Sequence, residues 1–156
     1  MAQQLITLLR SSPVFQNLSD HDLERLISLA ETRHYEAGAI LFVEMTQGDE
    51  VFFVVDGTLT VQLALSNADA NVEVLTLGPG EIVGEISLVE EGVRSATVAA
   101  QTDVTVLAWN CATLRDECRR HPDMGYVLIL GVAQVLARRI RRWNEYLLEH
   151  ALWGLS

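Results

Sequence analysis

The spacing of apolar residues changes twice along the chain, which divides it into three stretches of different period. In the first, Leu5, Ile6, Leu8 and Leu9 form a short helical cluster that Ser11-Ser12-Pro13 ends. After Val14 and Phe15, Ser19 fits a helix N-cap, with Asp22 placed in the first turn to complement the helix dipole. Leu23, Leu26, Ile27 and Ala30 then recur at helical spacing, so residues 1–31 are expected to hold N-terminal helices. From residue 32 to 109 the period shortens. Short apolar runs at 40–43, 51–55, 58–65, 72–77, 82–83, 96–100 and 104–109 alternate with turn signals. The signals are Ala37-Gly38, Gln47-Gly48-Asp49, Asp56-Gly57, Gly78-Pro79-Gly80 and Glu91-Gly92. Seven or eight short strands so bounded predict an antiparallel jelly-roll barrel or sandwich, with the polar Ser66–Asn71 as an exposed hairpin loop.

Helical spacing returns after Asn110. A short helix is expected over 112–120, stopped by His121-Pro122. A long helix then runs from Asp123 to about His150 with no proline inside it. Along it Ile129, Ala133, Leu136, Ile140, Trp143 and Leu147 repeat at 4-3-4-3-4 spacing, a coiled-coil seam on a helix of roughly 40 Å. So long a seam needs a partner: the chain's own barrel, a twin helix, or both. The expectation is a parallel helix pair in a homodimer, with intramolecular packing as the alternative. The fold class is therefore α+β: an antiparallel β jelly-roll barrel (32–109) flanked by N-terminal helices (1–31) and C-terminal helices (110–150). A chain of 156 residues suits one such domain, 1–156.

Charge narrows the partners. The formal net charge is −10, lysine is absent, and only four of the eleven arginines precede residue 100. Nucleic-acid binding calls for a basic surface, so no nucleic acid is expected. Cys111 and Cys118 lie seven positions apart on helix, about 10 Å by helical rise, too far for a disulfide and consistent with a reducing compartment. The N-terminus lacks the pattern of a secretory signal and no apolar run is long enough to span a bilayer, so a cytoplasmic location away from membranes is expected.

The candidate chemistry lies in residues 77–101, LGPGEIVGEISLVEEGVRSATVAAQ. Gly78-Pro79-Gly80 reads as a tight turn feeding a short strand. Gly84-Glu85 then opens one turn of helix at 86–89, whose first N–H groups can face an anion, and Gly84 leaves room for a close approach. Arg94 stands just before the next strand, where a guanidinium can pair with a phosphate.

This segment resembles the phosphate-binding cassette (83–97) of the cyclic nucleotide-binding domain family. That cassette runs Phe-Gly-Glu, a small or apolar residue, Ala or Ser, Leu, and later Pro-Arg-(Ser/Ala/Thr)-Ala-Thr-Val. Gly84, Glu85, Ile86, Ser87, Leu88, Arg94, Ser95, Ala96, Thr97 and Val98 fall on it in order. Ala37-Gly38, Gln47-Gly48-Asp49, residues 52–57 and Leu77-Gly78-Pro79-Gly80 match the family's other turn and strand markers, so the resemblance spans about 5–149. It implies that Arg94 pairs with the cyclic phosphate and that Glu85 accepts from the ribose 2′-hydroxyl. It also implies that the amides of Gly84, Ile86 and Ser87, with the hydroxyl and amide of Ser95, complete the anion cradle. One arginine can neutralise the single charge of a cyclic phosphodiester even in an acidic protein, because local field outweighs net charge at contact distance. Val93 replaces the family's frequent proline and Val83 its phenylalanine; neither change removes a polar contact. The resemblance does not by itself exclude a ligand-free pocket in which Glu85 and Arg94 pair with each other.

Similarity to the catabolite activator type places the base-contacting pair of the long helix on Trp143 and Asn144. Trp can stack on a purine, and Asn can bond the adenine N6/N7 edge. Ser95 in place of the threonine that favours cyclic GMP in some relatives leaves cyclic AMP the expected ligand and cyclic GMP the alternative. Neither a metal nor a cofactor is expected. The related cupin metalloenzymes need converging histidines, and only His34 falls in the barrel, while His21, His121 and His150 sit near predicted helix ends. No nucleophile elbow or nucleotide-hydrolase phosphate loop appears, so catalysis is not expected. A regulator of the catabolite activator type appends a helix-turn-helix after the long helix, about where Ser156 ends this chain. The arginines of 138–142 therefore read as a solvated or partner-contacting face. Three outlines follow: a stand-alone sensor that signals to an effector protein by moving its C-terminal helix, the sensor half of a transcription regulator, or a ligand-free interaction module.

Overall fold

The computed structural model describes residues 2–65 and 71–153, with the side chains of 152 and 153 left aside. Helices α1 (Ala2–Arg10) and α2 (Asp20–Leu29) open the chain. Ser19 caps α2 as its sequence suggests, its hydroxyl accepting from the Asp22 amide at 3.1 Å. The strands follow as β1 (Glu31–Tyr35), β2 (Ile40–Phe42), β3 (Gln47–Gly48), β4 (Glu50–Asp56), β5 (Leu59–Ala64), β6 (Asn71–Leu77) and β7 (Ile82–Val83). A one-turn helix α3 (Ile86–Val89) precedes β8 (Gly92–Val93), β9 (Thr97–Ala100) and β10 (Val104–Asn110), and helices α4 (Cys111–Arg120) and α5 (Pro122–Trp153) finish the order. Apart from Asn71, the loop expected over Ser66–Asn71 lies outside the described residues.

All pairings are antiparallel. One four-stranded sheet has the order β1-β10-β4-β7, the other β2-β9-β5-β6, and β3-β8 forms a two-stranded ribbon. The result is the expected jelly roll, built as two facing sheets; no described strand of one four-stranded sheet pairs with the other, so the barrel is not continuously hydrogen-bonded. Phe52, Val54, Val106 and Ala108 of the first sheet meet Leu59, Leu77, Val98 and Ala100 of the second in one core. The alternate residues Val51, Phe53, Leu107 and Trp109 face the other way, into a second core with the helices. Burial on both faces explains why β4 reads as the unbroken run Val51-Phe52-Phe53-Val54-Val55. The second core joins Leu9, Phe15, Leu23 and Leu26 to Met124, Leu128 and Val132 of α5, and the Trp109 indole N–H donates to the Leu26 carbonyl at 2.7 Å.

Two strand groups depart from the sequence expectation. β1 was not foreseen, because Glu-Thr-Arg-His-Tyr is polar on both faces; it is an edge strand held in register by β10, Glu31 opposite Ala108. β3 and β8 fall on segments read as turns, since two-residue strands carry no alternation to detect. The helical seam also differs. The body-facing row of α5 is Met124, Leu128 and Val132, while Ala133, Ile140 and Leu147 of the predicted seam are exposed. From Ile140 to Ala151 every described side chain of α5 is exposed, so that part of the seam is not buried within the chain. No described helix is long and apolar enough to cross a membrane.

Candidate functional site

β7, α3 and the ribbon β3-β8 converge on one end of the second sheet. There they frame a cavity of about 340 Å³ roofed by Leu136, Arg139, Ile140 and Trp143 of α5. The ribbon sets Arg94. Its amide donates to the Thr46 carbonyl at 2.7 Å and its carbonyl accepts from the Met45 amide at 2.9 Å, extending the Gln47–Val93 register by one residue. The side chain, only 5% exposed, turns inward. It donates through Nη1 to the Ser87 hydroxyl at 3.1 Å and through Nη2 to the Glu50 carbonyl at 2.8 Å, while its Cζ lies 4.0 Å from the Phe42 ring centroid. Two of a guanidinium's five donors are thereby used, and the buried Nε makes no hydrogen bond. No carboxylate pairs with Arg94 among the described residues. Burial lowers its pKa from the ordinary arginine value, with the nearby Cys111, Asp49, Glu50 and Glu85 opposing that shift.

Two glycines make this arrangement possible. Gly84 has φ +80°, and a β-carbon there would lie 2.8 Å from both Arg94 Nη1 and the Glu50 carbonyl oxygen. A β-carbon at Gly48 would lie 2.7 Å from Arg94 Nε. The close approach foreseen at Gly84 is thus made first of all by the arginine itself. Past Gly84 the chain enters α3 with no side-chain cap. The Ser87 amide already donates to the Gly84 carbonyl at 3.2 Å. Among the described residues the amides of Gly84, Glu85 and Ile86 have no acceptor, so Gly84 and Ile86 of the expected amides are open, Ser87 is not, and Glu85 adds one.

Glu85, 4% exposed, does not pair with Arg94. Its Oε1 pairs with Arg139 Nη1, and Arg139 Nη2 donates to the Ile82 carbonyl at 2.6 Å. The alternative of an internal Glu85–Arg94 pair is therefore not formed, and one expectation is corrected: Arg139 belongs to the cavity rather than to a solvated face. Arg139 lies one helical turn before Trp143, a spacing that shares a helix face and could have found it. Gly84, Glu85, Ile86, Ser87, Arg94, Ser95 and Trp143 all line the cavity; Asn144 does not. Successive residues on a helix are turned by about 100°, so Trp143 over the cavity leaves Asn144 exposed beside it. Apart from Glu85, Ser87, Arg94, Ser95 and Arg139, the lining side chains are apolar or glycine. Among the described residues, no three His, Cys, Asp or Glu side chains are grouped to hold a metal.

The two-sheet jelly roll thus brings together, in one cavity, a guanidinium without a carboxylate partner and main-chain amides without acceptors among the described residues. The profile of the cyclic nucleotide-binding domain matches residues 32–121, and the chain belongs to that family. It is 32% identical over 134 residues, 85% of its length, to the cyclic AMP receptor protein of Thermus thermophilus, of which it covers 59%. It is 32% identical over 120 residues, 77% of its length, to a cyclic nucleotide-gated potassium channel of Mesorhizobium japonicum, of which it covers 32%. The chain therefore spans only part of the curated relatives it matches. In fold it superimposes on a cyclic nucleotide-binding domain from Methylobacillus flagellatus with a TM-score of 0.85 at 19% identity, over 96% of this chain and 83% of that one.

Proposed function

We propose that residues 1–156 act as one cyclic nucleotide-binding domain that senses cyclic AMP and signals through α5. The observation that carries this reading is Arg94: a guanidinium held inside an apolar cavity, with unused donors and no carboxylate partner. A cyclic phosphate supplies the missing anion. In this reading Arg94 takes two phosphate oxygens, the amides of Glu85 and Ile86 and the Ser95 hydroxyl add donors, and Glu85 accepts from the ribose 2′-hydroxyl. Trp143 stacks on the base. Arg139 acts as a positioning residue, holding the Glu85 carboxylate toward the cavity from α5. Asn144, which lies off the cavity, is assigned no contact.

The cavity lining supports adenine over guanine. Away from the charged end the walls are aliphatic and aromatic. Both purines carry an exocyclic amine, but guanine would also bury a ring N–H and a carbonyl there without partners, and unpaired buried polar groups cost about 1–3 kcal/mol each. α5 supplies both a wall of the cavity and the partner of Glu85, so a ligand that alters either contact biases the position of the helix. The helix would pass that bias to a second copy or to an effector protein.

Calorimetric titration with each nucleotide tests the reading. Cyclic AMP is expected to bind at micromolar affinity or tighter, about −8 kcal/mol or better, and cyclic GMP at least about tenfold more weakly. Absence of heat with both nucleotides at millimolar concentration overturns it.

A further inference from the structure

A second cavity lies behind the first, with Arg139 lining both. It measures about 130 Å³ and sits between α5, the Ser12-Pro13 loop and the turn at Gly80-Glu81. Val135, Arg138, Arg139 and Arg142 face it from one side of the helix, at the i, i+3, i+4, i+7 positions that share a face. Arg139 is committed to Glu85 and the Ile82 carbonyl. Arg138 and Arg142 form no ion pair and no hydrogen bond among the described residues, in a chain with 21 acidic side chains against 11 arginines. Two like charges four residues apart on a helix repel, and an anion between them reverses the sign of that interaction.

The opposite wall adds a donor. Ser12 is 2% exposed; its hydroxyl accepts from the Val14 amide at 3.3 Å and donates to nothing among the described residues. Glu81 also lines the cavity and opposes an anion, but its Oε2 accepts from the Gly78 amide at 2.7 Å. Neither Arg138 nor Arg142 lies on the Ile129–Leu147 heptad row, so a helix pair along that row leaves both available.

We infer that this cavity is a second anion site, taking a free oxyanion of the phosphate class between the Arg138 and Arg142 guanidiniums, with the Ser12 hydroxyl as a further donor. Planar guanidiniums match the oxygen edges of such an ion. The volume lies below the roughly 300–1,000 Å³ of pockets that enclose drug-sized ligands, so the site fits a single oxyanion group and not a nucleotide. The inference stands independently of what fills the first cavity.

The probe is inorganic phosphate, titrated into the protein against sodium chloride at matched ionic strength, with the arginine Nε–H resonances followed by NMR. Phosphate could also enter the first cavity, so Arg94→Met serves as the control. Saturable shifts are expected in the parent and in Arg94→Met, with affinity weakened at least about tenfold in the Arg138→Gln/Arg142→Gln double variant. Both of these arginines are exposed, and an unchanged thermal midpoint verifies that the double variant is folded. Binding lost in Arg94→Met but kept in the double variant overturns the second site while favouring the first. Shifts that never saturate reflect screening and also overturn it. Vesicles containing phosphatidic acid present the same phosphate chemistry on a surface; retention on them without saturable phosphate binding overturns a free-ion site.

Discussion

Holding Arg94 inside the protein costs free energy in the absence of an anion. Its Nε is unsatisfied, burial lowers its pKa, and its two hydrogen bonds go to a hydroxyl and a main-chain carbonyl. Buried charge without a counter-charge is often less stabilising than an apolar side chain of similar size, and binding sites commonly carry such a cost. Arg94→Met is therefore expected to leave the thermal midpoint of the ligand-free protein unchanged or raised. A fall of more than about 4 °C, corresponding to roughly 1–2 kcal/mol or more in a domain of this size, would mean that the guanidinium serves mainly to hold the fold. The residue itself was legible in the sequence through the resemblance of residues 83–97 to the phosphate-binding cassette. Its supports were not. Phe42, Gly48 and the Glu50 carbonyl come from β2, β3 and β4, some fifty residues away in sequence, and only the fold brings them under it.

α5 carries the connection between site and surroundings. It places Leu136, Arg139, Ile140 and Trp143 over the cavity and is anchored to the body by the separate row Met124, Leu128 and Val132. The sequence showed one seam where the structure has two rows, because a helix of 3.6 residues per turn drifts about 20° per heptad and cannot keep one face inward along its whole length. Arg139 was hidden for a different reason: in a run of four arginines within five positions, composition alone does not single out the one that turns inward. Short elements were similarly opaque. The jelly roll was legible from its turns and runs, whereas β1, β3 and β8 depend on partners distant in sequence. Trp143 provides a direct reporter of α5. It is 39% exposed at the cavity mouth, while Trp109 is already buried. Cyclic AMP is expected to shift tryptophan emission to shorter wavelength and Trp143→Phe to remove the shift; a full response in that variant would place the ligand elsewhere.

From Ile140 onward the described side chains of α5 are exposed, Ile140, Tyr146, Leu147 and Leu148 among them. Surface of that kind on a helix with heptad spacing suits a parallel pair, and residues Ile140 and Leu147 belong to the row that the chain itself leaves uncovered. Sedimentation is expected to give a species of twice the 17.3 kDa chain mass, with Leu147→Asp shifting it toward the monomer. A single 17.3 kDa species in the parent at high concentration contradicts the helix pair.

The acidic molecule as a whole, with net charge −10, repels anions at long range, so the proposed capture of a cyclic phosphate depends on contact-distance chemistry at Arg94. Titrating cyclic AMP into the parent and into folded Arg94→Met isolates that chemistry. The loss of the guanidinium is expected to cost about 2–4 kcal/mol, roughly a 30- to 1,000-fold weaker dissociation constant. An Arg94→Met protein that binds cyclic AMP as tightly as the parent would contradict the assignment of the buried guanidinium as the phosphate ligand.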